Sequence, residues 1–164
     1  MMGDEDYSCT AIGVVRTPFT DPAATPIQSS FSTARGTVEV FPEFRDGLSA
    51  LAGFSHLILI YRFHRAAGEE LRERPLIDGA EPHGIFATRH FNRPNRLGIS
   101  VVRLAEIDGA TLTVEGVDLL DGTPVLDIKP YIPEFDCIPG ATSGWVTPQH
   151  VGQIRRQSAA FQVD

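Results

Sequence analysis

Residues 99–116 read ISVVRLAEIDGATLTVEG, and this stretch decides the fold. Ile99–Glu106 is rich in β-branched residues, Asp108-Gly109 is a tight-turn dipeptide, and Thr111–Gly116 alternates apolar with polar as a return strand. The pattern is that of a β-hairpin with one face buried. The same reading extends to both sides. Upstream, Ser55–Phe63 (SHLILIYRF) is the strongest apolar run in the chain, and it is short and β-branched enough to be a central strand. Gly36–Phe41 (GTVEVF) alternates as a half-buried strand that Pro42 ends, and Cys9–Val15 is a further β-prone run. Downstream, Val125–Ile128 supplies another short strand.

The connections predict little helix. Glu43–Leu51 has one apolar face and suits a short helix, although Gly47 weakens it. Glu69–Arg74 mixes charges and reads as a solvated turn or short helix, and Gly84–Thr88 as a short strand. The segment from Thr20 to Thr33 carries Pro22 and Pro26 and is a loop with the potential to act as a lid. Thr147-Pro148 has the form of an N-cap followed by proline at the first helical position, so a C-terminal helix is expected as packing material. The sum is a mainly β protein: one compact, antiparallel, barrel-like domain with short peripheral helices. Its expected extent is 9–140, with a flexible tail over 1–8 and a C-terminal extension over 141–164.

Composition sets the outer limits. A chain of 164 residues with 42% apolar content can bury one core without disulfides or metal, and its 15 glycines and 12 prolines suit many turns. The acidic start MMGDEDYS is unlike a signal peptide, no apolar run is long enough to span a membrane, and the expected compartment is the cytoplasm. Cys9 and Cys137 are then expected as free thiols. A net charge of −7 speaks against a broad nucleic-acid footprint, while leaving room for a local basic patch.

The residues that carry chemistry flank the hairpin. On its N-terminal side Arg89, Arg93 and Arg96 fall within eight residues, beside His90 and with no acid among them. Pro94 excludes a regular helix there, and Asn92 and Asn95 can fasten a loop that aims guanidinium groups at a carboxylate or phosphate. The alternative is a solvated basic loop paired with the acids that follow. On the C-terminal side lie Asp118, Asp121 and Asp127, with Asp121-Gly122 marking a turn; these carboxylates either orient the arginines or accept bonds from a ligand's hydroxyl or amino groups. Their spacing does not suit a calcium loop, and no metal site is expected. Tyr131, held between Pro130 and Pro133, can stack on an aromatic ligand, and Lys129 is the only lysine in the chain. His64 falls at the end of the central strand, where it can line a cleft; His56 is expected as a packed, hydrogen-bonded residue. Neither a glycine-rich phosphate loop nor a nucleophile elbow is present.

Two segments resemble one known family. FATRHFNRPNRLGISVVRL (86–104) is similar to its arginine–proline–asparagine motif, and DLLDGTPVLDIKPYIP (118–133) to its second signature. IGVVRTPF (12–19), ARGTVEVF (34–41) and LAGFSHLILIYRFHRA (51–66) support the match. The family is that of the TrmO-like methyltransferases, also described as YaeB- or VirR-like. The resemblance implies a small β-barrel domain, S-adenosyl-L-methionine as cofactor, a homodimer as working unit, and N-methylation of N6-threonylcarbamoyladenosine in tRNA. It implies cofactor contacts around Arg89, Arg93, Asn95, Leu120, Asp121, Gly122 and Thr123. The residues expected to face substrate are His64, Arg96, Lys129 and Tyr131, and the candidates for chemistry are Asp118, His90 and Tyr131. His90-Phe91 stand where the family usually has Ser-Pro, and Arg96 where it usually has proline. These departures keep two alternatives in view: methylation of a small molecule with an anionic group, and a ligand-binding module without catalysis.

Overall fold

The computed structural model describes residues 6–77 and 81–161; part of the expected N-terminal tail lies outside them. Among the described residues eight strands form, in chain order: β1 (Gly13–Arg16), β2 (Arg35–Val40), β3 (His56–Arg62), β4 (Arg72–Glu73), β5 (His83–Gly84), β6 (Leu97–Asp108), β7 (Thr111–Glu115) and β8 (Pro124–Pro130). The α-helices among these residues are α1 (Pro133–Asp136) and α2 (Pro148–Ala159).

Six strands close an antiparallel barrel in the order β1-β2-β7-β6-β3-β8, and β4 and β5 make a small separate ribbon. The β6–β7 hairpin sits where the sequence places it, joined by Gly109 and Ala110, with Gly109 at φ +61°. A register shift between Leu104 and Glu106 bends β6 before the turn. Alternation decides the rest. Leu57, Leu59 and Tyr61 of β3 point inward, as do Val102 and Leu104 of β6, Leu112 and Val114 of β7, Val38 and Val40 of β2, Val15 and Val125. At about 25 cal/mol per Å² of apolar surface, this interior supplies the main driving force for folding.

Several local expectations change. Pro42–Leu48 winds as a 3-10 helix, the tighter form suited to a short segment led by proline and interrupted by Gly47. Gly84–Thr88 is mostly a 3-10 turn, Ile85–Ala87, because Thr88 N–H and Oγ1 both bond back to the Ile85 carbonyl. The charged segment before it pairs Arg72 with Gly84 and Glu73 with His83 as a ribbon. Lys129 and Pro130 extend β8 rather than follow it. Cys9 and Cys137 are free and exposed. Among the described residues no helix is long and apolar enough to cross a membrane.

Candidate functional site

A cleft of about 810 Å³ opens at one end of the barrel, within the size range of small-molecule sites. The end of β3 with the 63–66 turn and the start of β6 line it, and four further parts of the chain wall it. The 22–28 loop forms one side and the arginine loop another; the turn from Asp118 to Thr123 forms the floor, and the end of α2 closes the remaining side with Gln157 and Phe161.

The arginine loop owes its shape to backbone bonds. Phe63 N–H donates to the Arg96 carbonyl (2.8 Å) and Glu70 N–H to that of Asn92 (2.9 Å). Pro94 leads a 3-10 turn in which Asn95 (φ +63°) and Arg96 (φ +52°) take left-handed conformations. Asparagine tolerates that region; arginine pays strain for it. Arg93 is held by its own loop, its Nη1 donating to the Thr88 carbonyl at 2.8 Å. Arg89 reaches across the cleft wall, where Nη1 donates to Gln28 Oε1 at 3.1 Å. Both arginines line the cleft.

The floor is tied to β1. Val15 N–H donates to the Thr123 carbonyl (2.9 Å) and Gly122 N–H to the Val15 carbonyl (2.9 Å), with Gly122 at φ +78°. Thr123 Oγ1 donates to the Leu120 carbonyl at 2.6 Å and closes the turn. Leu120 and Thr123 line the cleft. Asp121 turns outward, accepting from Thr17 N–H at 3.2 Å and lying 3.8 Å from Arg16. Asp121 and Gly122 therefore shape the floor and do not line it.

Asp118 is the carboxylate that does face the cleft. Its Oδ1 accepts from Ser100 Oγ at 2.6 Å, and Ser100 Oγ lies 2.9 Å from the buried Tyr61 hydroxyl. Burial drives the Asp118 carboxyl up to about 7, against the opposing pull of Ser100, of the Asp118 and Ser29 backbone, and of the Arg89 charge. Burial, then the neighbouring Asp118 charge, likewise pushes the Tyr61 hydroxyl well above its usual range, so that it keeps its proton. His64 lines the cleft and is held below the ordinary imidazole range by burial, then by Arg65.

Five expected residues stand elsewhere. His90 is buried and stacks on Phe91 with ring centroids 4.3 Å apart, its Nδ1 accepting from Asn92 N–H; burial lowers its pKa. The ring is a brace of the arginine loop, and Phe91 is the residue of that pair that lines the cleft. Arg96 points to Glu69, 3.6 Å away. Lys129 pairs with Asp127 at 2.8 Å on β8, and Tyr131 meets His56 edge-on at 6.3 Å. Asn95 supplies the bend and does not line the cleft.

Sequence reasoning missed Tyr61, Ser100 and Gln157. The signal for Ser100 was available: on β6 the inward positions run Gly98, Ser100, Val102, Leu104, and a hydroxyl on a barrel-facing row needs a partner. Gln157 gave no such sign on its weakly amphipathic helix. Its Oε1 is buried without a partner, and the helix read as packing material is a wall of the cleft.

Residues 14–137 match the family model of the tRNA-methyltransferase O N-terminal domain. The chain belongs to that family. Among relatives of this family member, a probable S-adenosyl-L-methionine-binding protein of Pyrococcus abyssi is 53% identical over 136 residues, covering 82% of this chain and 73% of the relative. The tRNA (adenine(37)-N6)-methyltransferase of Escherichia coli is 35% identical over 144 residues, and the match spans 82% of this chain but only 61% of that enzyme. The crystal structure of TrmO from Pseudomonas aeruginosa superposes with a TM-score of 0.74 at 34% identity, over 94% of this chain and 78% of that one. In this family member the arginine loop and the Asp118–Thr123 turn, 22 residues apart at their nearest ends by sequence, meet across one cleft.

Proposed function

We propose that this protein is an S-adenosyl-L-methionine-dependent methyltransferase that acts on the N6 nitrogen of an adenosine in tRNA. The observation that carries the reading is the cleft itself, in which Arg89 and Asp118 face one cavity between aromatic and aliphatic walls. The donor set fits the cofactor. Arg89 suits its carboxylate. Ile27, Phe91 and Leu120 suit the flat, apolar faces of a purine. The unpartnered Gln157 Oε1 calls for a donor of the kind an amino group provides.

The cofactor supplies a methyl group already activated on sulfonium sulfur, so the protein's task is to align it with the acceptor and to exclude water. When bound, the cofactor would give that methyl to the acceptor nitrogen and leave as the neutral thioether. Asp118 receives the proton that the nitrogen gives up, and its elevated pKa suits that task near neutral pH. Arg93, Arg65 and His64 line the cleft as substrate-facing groups. A −7 chain meets tRNA through this local arginine-rich rim rather than through its overall charge. The compartment that goes with such a substrate is the cytoplasm.

The working unit is a homodimer. Supporting it is an exposed aliphatic stripe of β6, where Leu97, Ile99 and Val101 are 42%, 49% and 37% exposed and the first two run on from the rim of the cleft. Ile60 pairs with Ile99 and Ile58 with Val101, which widens the stripe onto β3. Lys129 and Asp127 pair opposite Ile58 and Ile60, so they border this face, and neither lines the cleft.

Calorimetry with S-adenosyl-L-methionine tests the cofactor claim: the protein binds it saturably, and Arg89→Ala weakens binding by about tenfold or more, the effect of losing a charge-assisted bond. Transfer of labelled methyl to tRNA from an E. coli strain lacking its own tRNA (adenine(37)-N6)-methyltransferase tests the acceptor. Binding without transfer to that tRNA points to a different acceptor; no binding removes the methyltransferase reading.

A further inference from the structure

We infer that Tyr61 and Ser100 form a hydroxyl relay that orients Asp118 and sets its affinity for a proton, making both residues positioning residues of the reaction. The inference rests on the methyltransferase reading for its purpose, and on geometry for its substance.

The relay begins with a glycine. Gly98 pairs with Tyr61 across β6 and β3, and a Cβ at Gly98 would clash with Cε2 and Cζ of the Tyr61 ring and lie 2.8 Å from Phe63 Cζ. Only the absence of a side chain lets the ring lie flat across the neighbouring strand. So placed, the Tyr61 hydroxyl reaches Ser100, the next inward residue of β6, at 2.9 Å. Ser100 Oγ donates to Asp118 Oδ1 at 2.6 Å. A serine has one proton to donate; since it goes to Asp118, the Tyr61 hydroxyl must be the donor to Ser100. The chain Tyr61→Ser100→Asp118 therefore runs in one direction, with each bond polarising the next. Tyr61 and Asp118 both line the cleft, and Ser100 is buried between them.

The arrangement fixes one carboxylate oxygen and leaves the other for the cleft. When the acceptor nitrogen releases its proton, the carboxylate becomes a carboxylic acid, and Ser100 and Tyr61 keep their own protons throughout. The two hydroxyls favour the charged form of Asp118 against the burial that disfavours it. The other charged or titratable groups around the cleft are Arg65, Arg89, Arg93 and His64.

The test follows the Asp118 side-chain carboxyl carbon by NMR as pH is varied, in protein without cofactor. Wild type, Ser100→Ala and Tyr61→Phe are compared, with S-adenosylhomocysteine affinity measured for each. The expected result is an upward move of the Asp118 midpoint by at least about half a unit in Ser100→Ala, and a smaller move in the same direction in Tyr61→Phe. Affinity stays within about threefold of wild type, and the acid limb of the kcat–pH profile moves with the midpoint, so that kcat at a fixed acidic pH falls about threefold. An unmoved midpoint in both variants overturns the relay, as does loss of affinity without any movement of the midpoint. Should Ser100→Ala not fold, Tyr61→Phe, which removes a single oxygen, decides. Failure of wild type to bind S-adenosylhomocysteine removes the methyltransferase reading, while the titration still decides whether the hydroxyls govern Asp118.

Discussion

Asp118 imposes a pH dependence on folding that can be worked out from its environment. Its carboxyl is raised in the folded state to about 7 from an ordinary value of 3.8. Below both values the group is neutral folded or unfolded and costs nothing. As pH climbs between them, the unfolded chain loses its proton first, so the folded state becomes progressively less favoured; above about 7 the penalty is constant. Asp118→Asn removes this slope. Urea titrations are expected to show the variant nearly level with wild type near pH 4 and more stable by up to about 4 kcal/mol at pH 8. Equal stability at pH 8 would mean that the carboxylate is well solvated. The residue scale also marks the limit of reading by motif. Arg89, Arg93, Leu120 and Thr123 line the cleft, but Asp121, Gly122 and Asn95 serve the turns that build it. A signature preserves fold-bearing and ligand-facing residues alike, and only burial and direction separate them.

At the scale of elements, α2 carries the largest revision. Thr147 caps it as the sequence predicts, accepting from His150 N–H at 3.3 Å, while His150 Nδ1 accepts from Thr147 N–H at 3.2 Å. The helix is then fastened to the 22–31 loop: Ile27 N–H donates to the buried Ser158 Oγ at 3.2 Å, and Arg155 lies 5.1 Å from the Phe31 ring centroid. Loop and helix thus form one wall. Gln157→Ala is expected to weaken S-adenosyl-L-methionine binding by about tenfold, the value of one hydrogen bond made in a buried site, with little effect on the melting temperature. Cleaving the chain after residue 140 should leave the far-ultraviolet signature of the barrel in place and cost more affinity than the single substitution. An intact affinity in the shortened chain would return the helix to a packing role. Hydrophobic periodicity could not reveal this wall. It reports which face of a helix is apolar, and Gln157 is a polar residue turned toward a cavity.

For the whole molecule, the outer aliphatic stripe makes its own prediction. Ile99→Lys places a charge in the middle of the face shared by β3 and β6. Sedimentation is expected to shift from dimer to monomer while the fold remains, since the residue is half exposed; because Ile99 also lines the cleft, cofactor affinity is measured alongside. The barrel was legible in the sequence because alternation is strict: β6 and β7 keep their apolar rows through the hairpin, and β3 fits inside the predicted run. Strand order was not legible. Nothing local in Gly13–Arg16 says that it joins β8 as well as β2. Nor does the acid-rich turn at 118–123 announce that its floor hangs on β1.

The seam between β1 and β8 has a consequence in time rather than in space. It consists of two residue pairs, Gly13 with Val125 and Val14 with Pro124, whereas β3 and β6 share seven. Its partners are separated by most of the chain, so closing it encloses a very long loop for little local return. The hairpin β6–β7 can form early, but β1 must wait for β8 before the ring is complete. On a ribosome, that wait lasts until the signature 118–133 has emerged. The segment that lays the floor of the cleft is thus also the one that completes the barrel, and the helical wall of α2 can be added only after it.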